Sequence, residues 1–251
     1  LQEKDIMVIS QSQNQWQNFD RLPTAEELPY SDGKPVDSEL QDLIPHLLQS
    51  ILDIIWANRY DWFFGIDMGW YYHPTKPAVV PDGFLSLGVP RIVDPEKLRL
   101  SYLSWAENTI PCLTVEVVSK TSGGEYKQKK DLYASLEVLY YVIYDPRRRR
   151  KPRLTIYRLT DYGQYELCNE NPYWMPELGL AIGTGIGSYR GINREWLYWY
   201  DQQGIRYLSH EEIINQANID RQETELALQK SEEKARKLAE KLRSLGINPD
   251  D

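Results

Sequence analysis

The chain has 251 residues, of which 41% are hydrophobic and 12% aromatic, enough to fill a globular core, and its formal net charge is -8. That charge excludes a protein that coats nucleic acid by bulk attraction, because such binding depends on lysine and arginine neutralising phosphates, so any basic site must be local. Two cysteines, Cys112 and Cys168, are too few for a disulfide framework or a zinc site, and neither a spanning apolar run nor an N-terminal signal pattern is present, which predicts a cytoplasmic protein without export or membrane insertion.

Residues 1–37 are polar and broken by Pro23, Pro29, Gly33 and Pro35, and read as a loop-rich lead-in packed only in parts. From Ser38 the pattern becomes helical. Leu40, Leu43, Ile44, Leu47, Leu48, Ile51 and Ile55 share one stripe behind a capping-box-like Ser38 and Gln41, while Pro45 either kinks the helix or moves its start to about Asp42. WFFGIDMGWYYHP and KPAVVPDGFLSLGV read as two strands of a hairpin turned at residues 74–77, with Asp82 inside the second strand. A carboxylate among Val79, Val80, Phe84 and Leu85 is out of place unless something pairs with it. Residues 90–110 read as an insertion or long loop.

LTVEVVSKTSGGEYKQKKDLYASLEVLYYVIYDP, residues 113–146, predicts a β-α-β unit. Leu113, Val115 and Val117 alternate with Thr114, Glu116 and Val118, so Glu116 projects from the face opposite the aliphatic residues. Gly123-Gly124 punctuates a loop, Lys129, Leu132, Tyr133 and Leu136 follow helical spacing, and VLYYVIY is long enough only for a buried strand. RLTIYRL and YGQYELC form a further predicted hairpin after the basic run that starts at Arg147. A Gly-rich, strand-poor stretch from Leu178 to Gly191 follows, then a hairpin closed by Gly204. The predicted domain boundaries are 1–37, 38–209 and 210–251. In the last segment Leu228, Ala235, Leu238, Leu242 and Leu245 fall on heptad a and d positions, consistent either with a short coiled coil or with a solvated helix ended by Gly246.

Asp82 and Glu116, with Lys127, Lys129 and Lys130 on the following helix, make a set that could hold Mg²⁺ and act on a phosphodiester: hard oxygen ligands suit that ion, and an ammonium can orient water or stabilise charge on phosphate. The ordinary structural roles, a turn cap for Asp82, a lysine partner for Glu116 and a solvated lysine face, carry at least equal weight on spacing alone. His46, His73 and His210 show no metal-ligand spacing. Among Arg147, Arg148, Arg149 and Arg150, tracking a phosphate backbone and forming an exposed turn are evenly balanced.

PDGFLSL, LTVEVVSKTS, KKDLY and YYVIYDP, in this order, resemble the Uma-type endonuclease family of the PD-(D/E)XK restriction-endonuclease-like superfamily, over about residues 38–204. The resemblance implies an α/β (α+β) fold with a restriction-endonuclease-like core, a central mixed sheet flanked by helices, here followed by a long C-terminal helix. It implies catalytic residues at Asp82, Glu116 and Lys129, with Asp82 and Glu116 as ligands of Mg²⁺ (or Mn²⁺). Glu39, Lys127 and Lys130 are the accessory candidates. DNA is the implied substrate, while the heptad positions of the C-terminal helix, and not the resemblance, leave open a homodimer or higher homo-oligomer. The departure from the superfamily pattern is Val118, which stands where a lysine two positions after the second acid is expected, so that Lys129 must reach back from the helix. The competing reading is a nuclease-fold binding or assembly module, multimerised through the C-terminal helix.

Overall fold

The buried stripe of helix α1 (Glu39–Ile55) consists of Leu43, Ile44, Pro45, Leu47, Leu48, Ile51 and Leu52. The computed structural model describes residues 16, 19–29, 38–119, 124–150 and 152–244; the predicted loop at Gly123 and helix end at Gly246 lie outside them. Helix α1 starts at Glu39 and runs through Pro45, whose buried ring lies against the Gly83 backbone; that packing offsets the hydrogen bond proline cannot donate. The expected side-chain cap is absent: Gln41 N–H bonds the Ser38 carbonyl at 3.0 Å instead.

Six strands form the central sheet in the order β1-β3-β5-β6-β7-β8: β1 (Trp62–Ile66), β3 (Gly83–Leu87), β5 (Leu113–Val117), β6 (Tyr140–Tyr144), β7 (Leu154–Leu159) and β8 (Tyr165–Cys168). Within this sheet β5 and β6 pair in parallel, with Glu116 opposite Ile143, and the other neighbours pair antiparallel. A parallel pair needs a crossover, which a π-helical turn (Glu125–Lys129) running into a short α-helix (Lys130–Ser135) provides. The predicted β-α-β unit and mixed-sheet architecture are therefore both present.

Two expectations for the surrounding strands are corrected. The runs around residues 62–87 are not a simple hairpin turned at 74–77, because Trp70–Tyr71 (β2) pairs in parallel with Tyr102–Leu103 (β4) while β1 pairs with β3. Trp70 is the reason: its indole N–H donates to Ser104 Oγ at 2.7 Å and its ring stacks on Tyr133, pinning the excursion to the core. The stretch thought poor in strand contains the longest one, β10 (Leu180–Tyr189), which lies between β9 (Tyr173–Met175) and β11 (Ile192–Tyr200). Its glycines mark close approaches: a Cβ at Gly183 would sit 2.7 Å from the Asn171 side chain, and one at Gly185 would sit 2.7 Å from the Tyr200 hydroxyl. The partner of β11 is thus β10, and the arm after Gly204 adds only the bridge between Tyr200 and Arg206.

The two faces of the sheet are covered differently. Helix α1 packs on one, where the Trp199 indole N–H bonds the Leu48 carbonyl at 2.9 Å. On the other, Trp70, Phe84, Tyr102, Tyr133, Tyr141 and Ile143 join in one buried cluster. Gly65 lies opposite Phe84 in this cluster, and a Cβ there would come within 2.3 Å of the Phe84 ring. Gly65→Ala should therefore destabilise by about 1–3 kcal/mol, the usual cost of overpacking, which thermal unfolding would register as a drop of several degrees.

Parts of the lead-in are also tied down: the Trp105 indole bonds the Pro23 carbonyl and the Tyr71 hydroxyl the Pro29 carbonyl. Two compact units are resolved, Leu1–Gly187 with Arg194–Tyr207, and Ser188–Asn193 with Leu208–Asp251. The second holds the long helix His210–Ser244. Among the described residues no helix is long and apolar enough to cross a membrane.

Candidate metal and nuclease site

Glu116 enters the aromatic face of the sheet from β5 and is 1% exposed. A bare carboxylate there would be costly, and both of its oxygens are engaged. Lys129 Nζ donates to Oε2 at 2.7 Å and the Tyr133 hydroxyl donates to Oε1 at 2.7 Å. The two donors are four residues apart and so share one helical face. Within the π-helical turn Lys129 N–H bonds Gly124 O at 3.1 Å, a wider ring than the α-helical one.

Asp82 lies just before β3 rather than inside it. The antiparallel register of β3 with β5, Gly83 opposite Val115, carries it toward Glu116, and Val117 N–H donates to Asp82 Oδ2 at 2.6 Å. Burial pushes the Asp82 carboxyl up to about 8, and the nearby Glu116 charge adds to the rise. Burial also raises the Glu116 carboxyl, against the pull of Lys129. For Lys129 burial is the largest single influence and works downward, but the Glu116 charge and hydrogen bond together with the charges of Asp82 and Glu125 outweigh it, so the net shift is upward and the ammonium stays charged.

Val118 explains why the lysine comes from the helix. It is 2% exposed within the cluster of Tyr133, Tyr141 and Ile143, so an ammonium there would be stranded among aromatic rings. Lys129 brings its charge from across the crossover instead.

The other candidates do not join this group. Glu39 is exposed at the first position of α1 and makes no bond to Asp82, Glu116 or Lys129. Lys127 is exposed, and Lys130 Nζ lies 4.4 Å over the Tyr157 ring. Arg147 and Arg148 pair with Asp145 at 3.3 and 3.6 Å, and Arg148 also stacks on Tyr126. Arg149 and Arg150 are exposed. Among the described residues no group of three or more His, Cys, Asp or Glu gathers as a metal site.

Residues 16–187 match the model of the Uma2 family, described as "Putative restriction endonuclease". The chain belongs to the Uma2 family. Membership points to a nuclease-type function and to DNA as the class of substrate. No curated protein matches the chain.

Sequence reasoning missed Tyr133 as a ligand of Glu116, using it only as a spacing marker. Its position four residues after Lys129 was the available signal. The bond from Val117 N–H to Asp82 had none, since any non-proline residue offers that donor. Tyr133→Phe should cost about 1.5–3 kcal/mol, the range for a hydrogen bond to a charged group, seen as a lower unfolding temperature with the far-UV circular dichroism unchanged.

Proposed function

We propose that the chain is an Mg²⁺- or Mn²⁺-dependent endonuclease that hydrolyses DNA phosphodiester bonds, with Asp82 and Glu116 as metal ligands and Lys129 as the catalytic cation. The observation that carries this reading is the Lys129 to Glu116 contact of 2.7 Å together with an Asp82 whose proton affinity burial raises and the Glu116 charge raises further. Two buried carboxylates that repel one another are the charge arrangement a divalent cation relieves, and Mg²⁺ commonly takes only one or two carboxylates from the protein. The oxygen-only donor set suits that ion. When bound, it would supply a more acidic water and charge neutralisation at the phosphate.

Within this reading Lys129, kept charged by Glu116, orients the attacking water or offsets charge developing on the phosphate. Tyr133 fixes the Glu116 rotamer. Arg149 and Arg150, exposed after β6, are the proposed backbone-tracking cations, with Lys127 and Lys130 accessory to Lys129 and Glu39 an accessory acid. Supercoiled plasmid incubated with purified protein and Mg²⁺ or Mn²⁺ should be nicked, and Asp82→Asn or Glu116→Gln should lower the rate at least about 100-fold, as loss of a principal electrostatic group does. Undiminished nicking by both variants, or nicking in excess chelator, would contradict the assignment.

A second reading is favoured by the complete pairing of Glu116, both of whose oxygens already have partners. On it the fold binds DNA without cutting. Retention of plasmid in a gel-shift assay with no metal-dependent nicking would select it.

A further inference from the structure

The helix His210–Ser244 buries none of its residues. Isolated helices draw little stability from propensity alone and usually rest an apolar face on a partner. Leu228 and Leu238 are 58% and 61% exposed. With Ile214, Ala217, Ala235 and Leu242 they occupy the a and d positions of one heptad register. Ion pairs on the helix surface, Glu233 with Lys237 at 2.7 Å and Arg221 with Glu225 at 3.1 Å, support it locally but leave that seam uncovered.

The charges are segregated along the axis. Residues 210–226 hold five acidic residues and one basic, whereas residues 227–244 hold three acidic and six basic. We propose that this helix pairs antiparallel with the same helix of a second copy, forming a homodimer in which the acidic half of each lies along the basic half of the other. Because one helix carries both complementary halves, a second copy satisfies it without any other partner.

Parallel pairing would set like halves together, place Arg221 against its own counterpart in an a layer, and bring Asp220 at g against Glu225 at e. An antiparallel pair centred between Gln229 and Lys230 sets small against large, Ala217 opposite Leu242 and Ser231 opposite Leu228. It lays the Arg221 stem along Leu238 and brings Asp220 to Lys241. Glu225 then meets Glu232 at the e positions, so the preference comes from the opposed halves as wholes.

Light scattering on the full chain should give twice the monomer mass, and the dissociation constant should rise at least 10-fold in 1 M salt, where the screening length falls to about 3 Å. The triple reversal Lys230→Glu, Lys234→Glu and Lys241→Glu makes the whole helix acidic, leaves the Glu233 to Lys237 pair in place and should give a monomer of unchanged helix content. Spin labels on Gln216→Cys in a Cys112→Ala, Cys168→Ala background should lie about 40 Å apart across the dimer, from the 1.5 Å rise per residue. A parallel pair would bring them within roughly 20 Å. A monomeric wild-type chain, a short label distance, or a dimer that survives the triple reversal would each overturn the proposal.

Discussion

Lys129→Ala is expected to destabilise the fold by about 3 kcal/mol at pH 8, the scale for removing one partner of a buried ion pair, and much less at pH 5. The lost partner leaves Glu116, 1% exposed, with only the Tyr133 hydroxyl. Toward low pH that carboxyl, already raised by burial and no longer held down by Lys129, takes up a proton more readily than in the unfolded chain, and the protonated site is neutral. As the pH rises the folded state must either hold a bare buried charge or keep a proton that the unfolded chain releases. Either way stability falls with pH, the sign required when the folded state binds more protons. For a chain of this size the loss at pH 8 corresponds to roughly 6–12 °C in Tm. Lys127→Ala and Lys130→Ala should shift it by no more than about 2 °C, since neither ammonium touches a buried carboxylate. Equal effects from all three lysines, measured by calorimetry at both pH values, would remove Lys129 from its special place.

The second large effect concerns Asp82 and the metal together. The Asp82 carboxyl is held at about 8 in the folded chain against an ordinary 3.8, so the metal-free protein retains a proton there that the unfolded chain gives up between these values. Its stability contribution is full at low pH and is lost as the pH rises through that window. Asp82→Asn removes the titration while keeping an oxygen to accept from Val117 N–H. In the absence of metal it should therefore raise Tm at pH 8 by several degrees and change it little at pH 4. A divalent cation should stabilise the wild type instead, more at pH 8 than at pH 6, because binding must displace a proton at the lower pH. The Asn variant should show little of that metal-dependent stabilisation. Thermal shifts with and without Mg²⁺ across the pH range would test both halves, and a wild type stabilised by metal equally at every pH would contradict this account.

How much of this was legible in the residues differs by element. The β-α-β unit over residues 113–146 was readable because its apolar periods change cleanly from 2 to helical spacing and back. Asp82 and Glu116 stood out as carboxylates in apolar strands, and the structure places Lys129 on the second of them. Strand β10 was not readable. Its three glycines look like loop punctuation until Asn171 and Tyr200 are seen to press on the backbone there, a contact between segments that no local pattern encodes. The π-helical turn was hidden in the same way, since a ring one residue wider leaves the composition of Glu125–Lys129 unchanged. Val118 looked like a missing lysine, and in the structure it is buried in the aromatic cluster with Tyr133 and Tyr141.

The most direct test of the two-carboxylate site is a calorimetric titration of the metal-free full chain with Mn²⁺ at pH 8. The account predicts a saturable site on each chain, weakened at least about 10-fold by Asp82→Asn and by Glu116→Gln, since each removes one of two charged ligands, and unaffected by Lys127→Ala. Absence of saturable binding to the wild type, or an affinity unchanged in both carboxylate variants, would contradict it.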